Sequence, residues 1–132
     1  MAHILVVDDD ESFRLYLVTL LGQAGHTVLE ADNGQSALEW CASAPVDLII
    51  TDIFMPKMDG IDLLAAVRAD RPQVKVIAIS GGYKAMSSRV TLEMATSFGA
   101  VDIINKPFQA GTVLQKVTRA LESTDAEPIK DI

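Results

Sequence analysis

A chain of 132 residues, 49% hydrophobic and 22% charged, suffices for one domain with its own core and does not have the composition of a disordered chain. Its net charge of −7 repels nucleic-acid phosphates, so nucleic acid is not expected as a partner of this chain. No apolar run nears the roughly 20 residues of a membrane span, and the single cysteine, Cys41, excludes an intrachain disulfide.

The first apolar run, Ile4 to Val7, reads as a strand that stops at Asp8 and Asp9. No basic segment precedes it, so a secretory signal is not expected and the cytoplasm is the default location. Asp10 is placed to cap the helix that follows. In that helix Phe13, Leu17, Leu20, Leu21 and Ala24 recur on one face. A weaker strand lies around Thr27 to Leu29. Asn33 then caps a second helix with Ala37, Leu38 and Cys41 inward. The run Leu48 to Ile50 ends at Asp52, and Leu63, Leu64 and Val67 mark a third helix. The run Val74 to Ile79 ends at Ser80, and Leu92, Ala95 and Phe98 mark a fourth helix. The run Val101 to Ile104 precedes Lys106, and Val113, Leu114, Val117 and Leu121 mark a fifth helix. Breakers such as Gly25, Pro45, Pro56, Gly60, Pro72, Gly81, Gly82, Gly99 and Pro107 separate the elements.

Five strand–helix units without an internal repeat predict an α/β fold: a parallel sheet, doubly wound, with right-handed crossovers. Runs that are apolar throughout, not alternating, fit strands covered on both faces. The domain is expected over residues 1–122. Residues 123–132 read as a polar tail or the start of a linker.

Ligand sites in open parallel sheets lie beyond the carboxyl ends of the strands. With the first and third strands adjacent, Asp8, Asp9 and Asp52 would converge there. Two like charges about 4 Å apart repel by roughly 4 kcal/mol at an effective dielectric near 20. A hard divalent cation relieves that repulsion, so the cluster predicts a Mg²⁺ (or Mn²⁺) site open to a phosphoryl ligand. Ser80 and Lys106, at the ends of the fourth and fifth strands, supply a hydroxyl and a cation. Phosphoryl transfer needs such groups around the charged oxygens. A cis Lys106–Pro107 bond, which costs only about 0.5–1 kcal/mol, would aim Lys106 at the site.

These residues stand in motifs. Leu5-Val6-Val7-Asp8-Asp9 is followed by Ala31-Asp32-Asn33-Gly34 and Asp47-Leu48-Ile49-Ile50-Thr51-Asp52. Then come Met55-Pro56, Met58-Asp59-Gly60, Ile79-Ser80-Gly81, Gly99-Ala100 and Lys106-Pro107-Phe108. In this order the chain resembles the receiver domain of two-component response regulators, the CheY-like family, over about residues 2–122. The resemblance implies a (βα)5 flavodoxin-like fold with strand order 2-1-3-4-5. It implies Asp52 as phosphoacceptor and a metal held by Asp9 and Asp52, by Asp8 through water and by the Phe54 carbonyl. Ser80 would be the switch hydroxyl and Lys106 the phosphoryl-binding cation. The implied donor is a phosphohistidine on a sensor histidine kinase or a histidine phosphotransfer protein. A downstream protein or effector domain would meet the face of the fourth helix, fifth strand and fifth helix. Such a domain catalyses only its own phosphorylation and dephosphorylation.

The chain departs from the family pattern at three places. Ile103 stands where an aromatic switch residue is usual, and Tyr83 is a candidate substitute. The segment from Ser80 to Lys106 is about four residues longer than in the best-known members. Gln109 replaces a short capping residue, so the fifth helix is expected to start loosely. Phe54 is expected to shield an acyl phosphate from water. Trp40 and Cys41 read as packing, and His3 and His26 lie at the strand starts, away from the carboxylates. Three other classes are weighed. A haloacid-dehalogenase-type phosphatase expects a second Asp two residues after the first, where this chain has Phe54. A nucleotide binder expects a Gly-rich loop after the first strand, and none is present. A receiver-like interaction module that no longer phosphorylates would not need the complete set of phosphorylation residues found here.

Overall fold

The computed structural model describes residues 2–53, 60–81, 97, 99–106 and 108–122, with the side chains of 60, 61, 80 and 81 excepted. Five strands form one sheet: β1 (His3–Val7), β2 (Thr27–Ala31), β3 (Leu48–Asp52), β4 (Lys75–Gly81) and β5 (Asp102–Lys106). Their order is β2-β1-β3-β4-β5, and every neighbouring pair is parallel. The described helices are α1 (Glu11–Gln23), α2 (Gly34–Ser43), α3 (Gly60–Asp70) and α4 (Ala110–Glu122). The helix expected around Leu92, Ala95 and Phe98 lies outside the described residues, as do Phe54, Tyr83, Pro107 and the tail.

Side chains alternate across a strand, so the sheet separates two cores. On one face Leu5, Val7, Ile49, Val76 and Ala78 meet Ala37 and Cys41 of α2 and Leu63, Leu64 and Val67 of α3. On the other face Ile4, Val6, Leu48, Ile50, Ile77, Ile79 and Ile104 meet Leu17 and Leu21 of α1 and Val113, Val117 and Ala120 of α4. The apolar runs without alternation are thus strands buried on both sides.

The helix starts are local and explicit. Asp10 has extended backbone, and its Oδ1 accepts from the N–H groups of Ser12 (3.0 Å) and Phe13 (3.3 Å). Asn33 caps α2 by accepting from the Ser36 N–H at 2.9 Å. At Gln109 the carbonyl accepts from the Val113 N–H at 3.1 Å, the first turn of the last described helix. Strand β2 is an edge strand, which leaves it thinly covered. Trp40 of α2 donates its Nε1–H to the Glu30 carbonyl at 3.0 Å and keeps 37% of its surface exposed. The chain enters β5 through Gly99, whose φ of +100° favours glycine. A Cβ there would sit 2.5 Å from Cδ of Arg68, so glycine is also what lets the Arg68 side chain lie against this turn.

Candidate functional site

Register brings the acidic residues together. Val7 of β1 is paired with Thr51 of β3, so Asp8 leaves β1 beside the position where β3 reaches Asp52. Asp52 is paired with Ile79, Ile79 with Ile104, and Gly81 with Lys106. The site residues therefore emerge at one edge of the sheet. Asp8, Asp9 and Asp52 each offer a carboxylate oxygen, and these atoms lie within 4.8 Å of one another.

The three acids that follow β1 do different jobs. Asp10 caps α1. Asp9 faces solvent. Asp8 is fully buried, and its Oδ1 accepts from the Asp10 N–H at 2.9 Å. Its Oδ2 receives no aligned hydrogen bond, although the Lys106 ammonium stands 3.2 Å away. Lys106 donates instead to Asp52 Oδ2 at 3.3 Å. Burial pushes the Asp8 carboxyl up to about 6, with the Asp52 charge adding to the rise and the Asp10 N–H and Lys106 opposing it. For Lys106, burial alone would lower the ammonium. The Asp52 and Asp8 carboxylates outweigh burial and hold it above its ordinary value.

The donor set fits a hard divalent cation. It is made of oxygens, and Asp8 Oδ2 is a buried anionic atom without a hydrogen bond. Three carboxylates with one ammonium leave two negative charges, which one divalent ion balances. Asp8, Asp9 and Asp52 would hold it. The expected carbonyl ligand, Phe54, lies outside the described residues. Ser80 is placed by β4 in register with Asn105, one position before the Gly81–Lys106 pair. Its hydroxyl lies outside the described side chains.

Sequence reasoning missed three supports. Arg14 donates from Nη1 to the Asp8 carbonyl at 2.8 Å and from Nε to Glu30 Oε1 at 2.8 Å, bracing the loop after β1 against β2. Thr51, fully buried, donates its hydroxyl to the Asp52 carbonyl at 2.9 Å. Phe13, read only as a core-facing residue, puts its ring under Lys106, 4.2 Å from Nζ to the ring centroid. A signal for Phe13 was present. It is one turn before Leu17 on the inward face, in the first turn after the acidic loop.

Ile103 is 93% buried within β5 (7% exposed). Its carbonyl accepts from Lys116 Nζ at 2.6 Å, and Lys116 also pairs with Asp102 at 3.2 Å, tying α4 to β5. An open trough of about 500 Å³ lies beside the cluster, lined by Arg14, Glu30, Asp32, Glu39 and Trp40. Its charged lining includes the satisfied Arg14–Glu30 pair, and Asp8, Asp9, Asp52 and Lys106 do not line it. The chemistry belongs to the strand ends.

Comparison with known proteins agrees with this geometry. The family model described as "Response regulator receiver domain" matches residues 4–118. The chain is 38% identical to the chemotaxis protein CheY of Bacillus subtilis, covering 92% of this chain and 99% of that one. It is 36% identical to the DNA-binding transcriptional regulator NtrC of Azospirillum brasilense, covering 92% of this chain but only 24% of that one. The chain thus spans about a quarter of the NtrC relative. The crystal structure of NtrX from Brucella abortus superposes with a TM-score of 0.86 at 33% identity, over 93% of this chain and 27% of that one. Among the described residues, no helix is long and apolar enough to cross a membrane. With its strand order, its acidic cluster and a family match over residues 4–118, the chain belongs to the response regulator receiver domains of two-component systems.

Proposed function

We propose that Asp52 accepts a phosphoryl group from a phosphohistidine of a sensor histidine kinase or histidine phosphotransfer protein. One carboxylate oxygen of Asp52 forms a bond to phosphorus while the bond from phosphorus to the donor imidazole nitrogen breaks. The imidazole keeps that electron pair and takes a proton from solvent. The observation that carries the reading is the meeting of Asp8, Asp9 and Asp52 at three carboxylate oxygens, with Lys106 between Asp8 and Asp52.

Each group has a task. Asp9 and Asp52, with Asp8 through water, would hold Mg²⁺ or Mn²⁺, which when bound would neutralise phosphoryl charge. Lys106 is already within 3.3 Å of the Asp52 carboxylate, where it meets a phosphoryl oxygen as transfer proceeds. Ser80, by resemblance, donates to a second oxygen. The new charge of about −1.5 to −2 then draws the ends of β4 and β5 toward Asp52. That movement biases the β5 and α4 face toward a downstream protein or effector domain. The chain turns over no separate substrate in this reading.

Beryllofluoride, which mimics an acyl phosphate, tests the site without a donor. Mg²⁺-dependent fluorine resonances of bound beryllofluoride are expected on the parent and not on Asp52→Ala. If the parent binds none while staying folded, the chain is a constitutive interaction module.

A further inference from the structure

Among the described residues, the Lys106 ammonium has three neighbours in the site. Two are carboxylates, Asp8 Oδ2 at 3.2 Å and Asp52 Oδ2 at 3.3 Å. The third is the Phe13 ring, at 4.2 Å from Nζ to its centroid. The Lys106 side chain is only 10% exposed, so the contact lies at the desolvated end of the range for cations over aromatic faces. The ring is itself fixed. Phe108 packs on it with centroids 5.7 Å apart and planes at 54°, and Tyr16 packs on Phe108 at 5.8 Å. The Phe13 N–H donates to the capping Asp10 Oδ1, which sets the start of α1.

We propose that Phe13 is a positioning residue for phosphoryl transfer: its ring face holds the Lys106 ammonium where it meets the phosphoryl group on Asp52. The proposal rests on the receiver reading above. A lysine is a point charge on a flexible four-carbon stem. Without a metal, the two carboxylates hold that charge together with the ring. Once a divalent ion neutralises them, their pull on Lys106 falls. The ring's pull does not depend on their charge, so Phe13 matters most when the site is loaded. The ring also covers one side of the ammonium against water, leaving the side toward Asp8 and Asp52 to the site.

Four proteins decide it: the parent, Phe13→Leu, Phe13→Tyr, and the parent carrying 3,4,5-trifluorophenylalanine at position 13. Fluorine keeps the ring's shape while weakening its negative face. The first readout is the Lys106 ε-methylene proton shift in metal-free protein. The parent and Phe13→Tyr are expected to show an upfield ring-current shift that Phe13→Leu lacks. The second is the rate of mass gain from acetyl phosphate at saturating Mg²⁺. That rate is expected to fall about five- to tenfold in Phe13→Leu and by an intermediate factor in the trifluoro form. Phe13→Tyr is expected to recover most of the loss, and the Mg²⁺ dependence to stay as in the parent. If Phe13→Leu does not fold, the trifluoro form decides. A trifluoro form as fast as the parent overturns the proposal, because the ring would then serve packing alone. No upfield shift in the parent overturns it too. A parent that gains no phosphoryl group sinks the receiver reading, and this proposal with it.

Discussion

Lys106 Nζ donates to Asp52 Oδ2 across 3.3 Å, although the two residues lie on strands that do not touch. Strand β4 separates β3 from β5, and Lys106 reaches over its end. The same ammonium is 3.2 Å from Asp8 on β1, so one side chain spans the carboxyl edge of most of the sheet. Replacing it with an apolar side chain of similar length removes both the ion pairs and the cation that meets the phosphoryl group. Lys106→Met is expected to slow phosphoryl uptake from acetyl phosphate on the order of 10²-fold, the loss typical of one transition-state donor. A time course of intact mass measures it.

Mg²⁺ is expected to stabilise the chain through the same cluster. Binding at ten times the dissociation constant adds about 1.4 kcal/mol. Asp9 faces solvent and supplies one of the three oxygens. Asp9→Asn is therefore expected to fold as well as the parent without metal and to lose most of the Mg²⁺-dependent rise in Tm. Thermal melts with and without Mg²⁺ at neutral pH compare the two.

Without metal, the buried Asp8 carboxyl carries a pH signature. Its pKa is raised from the ordinary 3.8 to about 6, mainly by burial, so the folded chain holds that proton more tightly than the unfolded chain. The stabilising contribution is complete below about pH 4 and is lost as pH rises through about 6. In a chelator, the parent is expected to lose stability relative to Asp8→Asn over that window. Urea melts across pH 4 to 7 measure the difference, and parallel curves would contradict it.

Gly99 and Arg68 form a coupled pair far from the acids. Gly99→Ala must place a Cβ at φ +100°, 2.5 Å from Arg68 Cδ. It is expected to cost about 1–3 kcal/mol, with part of the loss recovered in Gly99→Ala combined with Arg68→Ala. The backbone strain remains in the double variant, so recovery is partial.

Much of this architecture was legible because strands buried on both faces announce themselves. Ile4–Val7, Leu48–Ile50 and Val76–Ile79 are apolar without alternation, and each runs toward a residue that the chemistry uses. The two caps, Asp10 and Asn33, follow from their short oxygen-bearing side chains before helical periodicity. Strand β2 was harder. It is an edge strand with Glu30 exposed, so its apolar pattern is thin. The order of the strands came from resemblance, since periodicity does not say which parallel neighbours pair. Within the site, residue types pointed to Asp8, Asp9, Asp52 and Lys106, and the structure brings these four together. Arg14 and Thr51 were not legible. Their roles depend on where a side chain reaches across the β1 loop or back along its own strand, and no spacing rule encodes that. Phe13 was half legible: its inward face was read, but not that the top of that face meets Lys106. The expectations for Phe54, Tyr83 and the Lys106–Pro107 bond concern residues outside those described.

The central claim is that Asp52 is the phosphoacceptor. Intact mass after incubation with acetyl phosphate and Mg²⁺ tests it most directly, on the parent and on Asp52→Asn. The account predicts a gain of one phosphoryl group on the parent, dependent on Mg²⁺ and labile to alkali as an acyl phosphate is, with none on the variant. An equal gain on Asp52→Asn would contradict it, because the phosphoryl group would then sit elsewhere on the chain.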